Sequence, residues 1–133
     1  MKIAVLWGAI FGISQAIISL VMSIYLSSPN MAALACVGLL LSFALNVACG
    51  LAGAIHAKAF GIGLWAGIIA IAIEVIASLI GYMINPALLE VGVVASVISF
   101  AISIGFGIVL SAIGASIGYF ISRKSTKPIQ TNA

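Results

Sequence analysis

Phe60–Ile84 reads FGIGLWAGIIAIAIEVIASLIGYMI, and Glu74 is its one charged side chain. A helix needs about 20 apolar residues to cross a hydrocarbon core of roughly 30 Å, and this run is long enough. At the helical period Gly63, Gly67, Ala70, Glu74, Ala77, Ser78, Gly81 and Asn85 gather on one arc of about 100°. Ile69, Ile73, Ile76 and Ile80 take the opposite side and are expected to face lipid. A carboxylate on a stripe of small residues, inside a stretch fit to cross a membrane, sets the terms for the rest of the chain.

Working outward, three more stretches qualify as spans, giving spans of 3–26, 31–55, 60–84 and 91–121. Short breaks separate them: Ser27-Ser28-Pro29-Asn30, the His56 to Lys58 turn, and Asn85 to Glu90. Breaks this short predict sequential helices packed as neighbours. The whole chain of 133 residues is 65% hydrophobic and 5% charged, with a mean hydropathy of +1.41. Soluble domains carry about 25% charged residues, so water cannot be its solvent. Soluble enzymes, nucleic-acid binders and disordered chains are excluded, since each needs a charge density that five basic and two acidic residues do not supply. The first apolar run is too long for a signal-peptide core and no A-x-A site follows it, so it stays as a span.

Lys2, Lys58, Arg123, Lys124 and Lys127 all fall on one side of an even number of spans, whereas Glu90 falls on the other. By the positive-inside rule both termini are expected in the cytoplasm. Trp7, Trp65 and Tyr119 near that interface, and Tyr25 and Tyr82 near the opposite one, agree. The fold expected is all-α and integral to the membrane: an antiparallel four-transmembrane-helix bundle in one domain, 1–121. A polar, basic cytoplasmic tail, 122–133, follows it and touches anionic headgroups. The expected setting is the cytoplasmic membrane of a prokaryote, with the lipid bilayer, membrane-protein partners or further copies of the chain as partners and no nucleic acid.

Span four is too long to lie straight across a bilayer, and Gly105 and Gly107 offer a place for a bend. An offset that lays Tyr25 on Tyr82 also lays Pro29 on Pro86 and Gly50 on Gly107, matches that fit either a duplicated hairpin or coincidence in so apolar a composition.

Membrane helices close through small residues that let backbones approach. Span one offers Gly8, Gly12, Ala16, Ser19 and Ser23, with Gln15 at the edge. Span two offers Ala35, Gly38, Ser42, Asn46, Cys49, Gly53 and His56, and span four offers Ser96, Ser99, Ser103, Gly107, Gly114 and Gly118. The G-x-x-x-G pairs Gly8/Gly12, Gly63/Gly67 and Gly114/Gly118 serve either contacts inside one bundle or association with another chain.

Glu74 is the only ionisable residue near the middle of a span. Counted from the basic side, Gln15, Asn46 and Glu74 lie about 12, 10 and 14 residues deep, within about 6 Å of one level. An ionised carboxylate there costs about 2.5–3.5 kcal/mol or more, and no Lys or Arg shares its depth. The expectation is a neutral carboxyl clasped by the Gln15 or Asn46 amide, with hydroxyls such as Ser103 nearby, or a carboxylate that holds a proton or cation reversibly. His56 and Cys49 are about 10 Å apart along their helix, too far for one metal, and Cys36 and Cys49 are too far apart to bridge. No catalytic set and no cofactor site is read.

Two functions fit these residues. The first is a non-catalytic subunit or scaffold of a larger membrane complex, held through small-residue faces. The alternative is an oligomeric proton- or cation-coupled transporter or channel built on Glu74. Thin, glycine-packed helices are expected to leave little room for a pathway inside one copy, so the second reading calls for at least a dimer.

Overall fold

The computed structural model describes residues 1–25, 31–84 and 93–124. The connections at 26–30 and 85–92, with Asn85 and Glu90, lie outside the described residues, as does the tail from 125 to 133. The side chains of Ser23, Tyr25, Ala35, Ser96 and Ser99 lie outside them too. Four helices account for nearly all the rest: α1 (Lys2–Tyr25), α2 (Met31–Ala57), α3 (Phe60–Ile84) and α4 (Val93–Lys124). Each is long and apolar enough to cross a membrane. Large apolar side chains cover the outside, as on a surface whose solvent is lipid: Ile17, Leu40, Ile76, Val109 and Phe120 are all exposed.

The helix ends differ by a few residues from the spans read in the sequence. α2 continues through Ala57, and Lys58 then turns the chain with a φ of 51° while its N–H donates to the Ile55 carbonyl at 3.4 Å. A side chain in this left-handed region costs about 1–2 kcal/mol, and glycine there costs almost nothing. Lys58→Gly is therefore expected to stabilise the protein by about 1 kcal/mol. Thermal unfolding in mild detergent would register this as a midpoint raised by a few degrees, and a lowered midpoint would mean that the lysine makes contacts worth more than its strain.

α4 is one helix through Gly105 and Gly107, and it includes Ser122, Arg123 and Lys124. Ser122 Oγ donates to the Tyr119 carbonyl at 2.8 Å, and the Arg123 guanidinium lies 5.1 Å from the Tyr119 ring centroid. Two cations in the last turn also oppose the negative end of the helix dipole.

Sequential helices do touch, but the most extensive packing is between helices once removed in the chain, α1 on α3 and α2 on α4. α2 and α3 also meet, whereas α1 and α4 barely do. In cross-section the four axes form a rhombus with α2 and α3 on its short diagonal. Register follows from the contacts. Gly8 meets Ile69, Gly12 meets Ile73 and Ser19 meets Ser78, so residue numbers climb together along α1 and α3. They run in opposite order along α1 and α2, where Trp7 meets His56 and Cys49 and Gln15 meets Ser42.

This packing corrects the face assigned to lipid on span three. Ile69 and Ile73 lie in the α1–α3 interface, where a Cβ placed on Gly8 would stand 2.7 Å from Ile69 Cβ and one on Gly12 would stand 2.9 Å from Ile73 Cδ1. The α1 glycines form the hollows and the β-branched chains fill them, the close approach that replaces hydrophobic drive in lipid. Only Ile76 and Ile80 of the four remain exposed, at 59% and 45%.

The other glycine pairs also pack within the chain. Gly63 lies against the Gly50 carbonyl and the methyls of Ala54 and Ala115, and Gly67 lies under Ser111. Gly114 faces the Val47 carbonyl and Gly118 the Leu51 carbonyl, while Gly107 lies against Ile71. Most of these contacts gather in the half of the bundle where α2 passes into α3. That half is closed backbone to backbone.

Candidate functional site: a cavity around Glu74

In the opposite half the helices stand apart around a cavity of about 400 Å³. All four line it: α1 through Gln15, Ser19 and Met22, α2 through Gly38, Ser42, Phe43 and Asn46, α3 through Ile71, Glu74, Ser78 and Tyr82, and α4 through Phe100, Ser103 and Gly107. The expectation of little room inside one copy is thereby corrected. Most of the glycines that draw the backbones together lie towards the α2–α3 turn, and the cavity opens beyond them.

The four residues singled out as a proton or cation site, Glu74, Gln15, Asn46 and Ser103, all line this cavity. Three are joined through a residue that the sequence reading placed on the span-two stripe without giving it a part. Ser42 Oγ donates to Glu74 Oε1 at 3.1 Å. The Ser42 carbonyl accepts from Gln15 Nε2 at 3.2 Å and from Asn46 Nδ2 at 3.0 Å. The amides thus reach Ser42 and not the carboxyl, which corrects the direct clasp expected between them. Its signal was present in the spacing: Ser42 lies one turn before Asn46 on the same face. Ser19 and Ser78 approach each other at 3.1 Å between hydroxyl oxygens higher on the wall.

Because both amide nitrogens are committed to one carbonyl, the amide oxygens are turned elsewhere. Gln15 Oε1 and Asn46 Oδ1 are buried without a hydrogen-bond partner, on residues only 1% and 3% exposed. Each unmet buried acceptor costs about 1–3 kcal/mol. The site therefore holds a carboxyl group and two amide oxygens lacking donors, and no basic side chain lines it. Tyr82 and Phe100 stand at its other end, 6.3 Å apart between centroids, while Phe43, beside Ser42, stacks on Phe106 at 5.8 Å.

Other chemistry-bearing residues lie apart from this cavity. Cys49 is buried with its thiol 3.8 Å from the Trp7 carbonyl, and Cys36 is exposed. His56 Nδ1 is 3.0 Å from the Ala52 carbonyl, and its ring lies 4.9 Å from that of Trp7. Among the described residues no group of three His, Cys, Asp or Glu side chains could hold a metal.

No family model matches the chain, and neither a curated protein nor a solved structure does. The four helices of the described residues, each long and apolar enough to cross a membrane, mark a multi-pass membrane protein.

Proposed function

We propose that this protein is a proton- or cation-coupled membrane transporter whose ion-binding group is Glu74. The observation that carries the reading is the cavity itself, lined by all four helices, with the chain's one mid-span carboxyl on its wall. Ionisable groups are costly inside a bilayer and tend to mark ion or proton pathways. The bundle is closed in one half and hollow in the other, as a carrier is when its site faces one side of the membrane. In this reading the helices are antiparallel, both termini lie on the basic, cytoplasmic side of a prokaryotic inner membrane, and the hollow half faces outward. The subunit reading draws less support, because the glycine pairs it relies on are packed inside the chain.

The test is proton flux in liposomes carrying a pH gradient, comparing wild type with Glu74→Gln. Glutamine keeps the acceptor for Ser42 but cannot ionise. The expected result is flux above protein-free liposomes for the wild type and a loss of about tenfold or more in the variant. Equal flux from the two proteins, or none from the wild type under either a proton or a sodium gradient, would overturn the reading and return the subunit role to first place.

A further inference from the structure

We propose that the cavity binds a primary ammonium ion carrying a short aromatic or apolar tail, its charged head at Glu74 and its tail towards Tyr82 and Phe100. This deepens the function proposed above and rests on it, because it gives the Glu74 site an organic substrate.

Size sets the first limit. A cavity of about 400 Å³ is far larger than a bare metal ion needs and falls within the usual small-molecule range of roughly 300–1,000 Å³. Charge sets the second. The only charged residue in the lining is an acid, so the complementary ligand is a monocation. The donor count sets the third limit and is the most selective. Gln15 Oε1 and Asn46 Oδ1 have no donor, and both residues are more than nine-tenths buried in the cavity wall. A proton on Glu74 would satisfy at most one acceptor. A primary ammonium brings three N–H donors, one for the carboxylate and two for the amide oxygens, which the wall covers until Gln15 and Asn46 turn them into the cavity. A quaternary ammonium brings charge without any donor and leaves both oxygens unmet.

The walls fix the rest of the molecule. Tyr82 is eight residues beyond Glu74 on α3, about 12 Å along the axis, and it pairs with Phe100 of α4. Between these two levels the wall is mixed, with the Ser19 and Ser78 hydroxyls one turn beyond Glu74 and the apolar side chains of Ile18, Val75 and Ile104 beside them. The carboxyl and the two amides therefore gather at the deep end and the Tyr82–Phe100 pair stands at the other, an arrangement suited to an amphipathic amine lying along the bundle axis.

The experiment is binding of 2-phenylethylamine to the purified protein in nanodiscs by calorimetry at neutral pH. Three comparators accompany it: the trimethylammonium analogue, 2-phenylethanol and sodium chloride. The amine is expected to bind at least about tenfold more tightly than the trimethyl analogue or the alcohol, and sodium is expected not to displace it. Glu74→Gln is expected to remove binding. Gln15→Leu is expected to weaken it about tenfold while leaving thermal stability unchanged or raised, which guards against a variant that merely misfolds. Equal binding of the trimethyl analogue, displacement by sodium, or amine binding that survives both substitutions would each overturn the proposal. Proton flux that depends on Glu74, together with no amine binding, would sink this inference alone and leave the carboxyl's role in coupling intact.

Discussion

Gly114→Leu is expected to separate α2 from α4 and to cost the protein about 3 kcal/mol or more of stability. A Cβ at this position would run into the Val47 carbonyl oxygen, 2.8 Å from the carbonyl carbon and 3.1 Å from the Leu51 nitrogen. All three atoms are backbone of a helix, so none can move aside as the end of a flexible side chain would. Relief requires the two helices to part, and the neighbouring contacts of Gly50 and Gly118 on the same interface would part with them. Leucine gains roughly 0.8–1 kcal/mol over glycine in helix propensity, too little to offset this. Gly105→Leu is the matched control, since nothing lies within 4 Å of its added Cβ. In mild detergent Gly114→Leu should lose its monodisperse peak or melt many degrees lower, while Gly105→Leu should match or exceed the wild type. Similar midpoints for the two variants would show that α2 and α4 are not held as described.

These two glycines also show what the sequence could and could not convey. Gly105 and Gly114 lie on the same helix, and composition treats them alike. The period of 3.6 places Gly107, Gly114 and Gly118 on a common stripe, so the buried face of span four could be read from the residues. Which helix that stripe meets depends on how four similar cylinders are arranged, and short connections are compatible with more than one arrangement. The same gap explains Ile69 and Ile73, which are apolar enough for lipid and for an interface alike. Glu74, Gln15 and Asn46 could be brought to one level by depth counting, because rise per residue is fixed. The part of Ser42 was legible only in half, as its one-turn spacing from Asn46. A serine is common on such stripes, and its carbonyl draws two amides only because Asn46 lies one turn further along its own helix and Gln15 faces it from α1. The cavity was also hidden, since its volume depends on where glycine packing stops along the axis and not on any single residue.

Gly38→Phe is expected to leave the fold intact and to lower proton flux through the protein by about tenfold or more. Gly38 lines the cavity on α2, and the nearest atoms to an added Cβ are Met22 Cε at 3.1 Å and Sδ at 3.4 Å. These are the far atoms of an unbranched thioether side chain, which turns away at little cost. The site thus differs from Gly114, where a helix backbone blocks the added atoms. Phenylalanine is also a better helix former than glycine, so a small gain in propensity accompanies the insertion. The ring has the cavity to occupy, and it would enter between Met22 and the Ser42–Glu74 pair, over the polar end. Glu74 and its hydrogen bond would remain, but access to them would be narrowed. The expected pattern is a thermal midpoint within a few degrees of wild type, loss of flux, and loss of whatever amine binding the wild type shows. Full flux in a folded Gly38→Phe protein would place the proton route elsewhere than through this cavity, even if Glu74→Gln had abolished it. The two substitutions therefore test separate things: one removes the charge and keeps the space, and the other fills the space and keeps the charge.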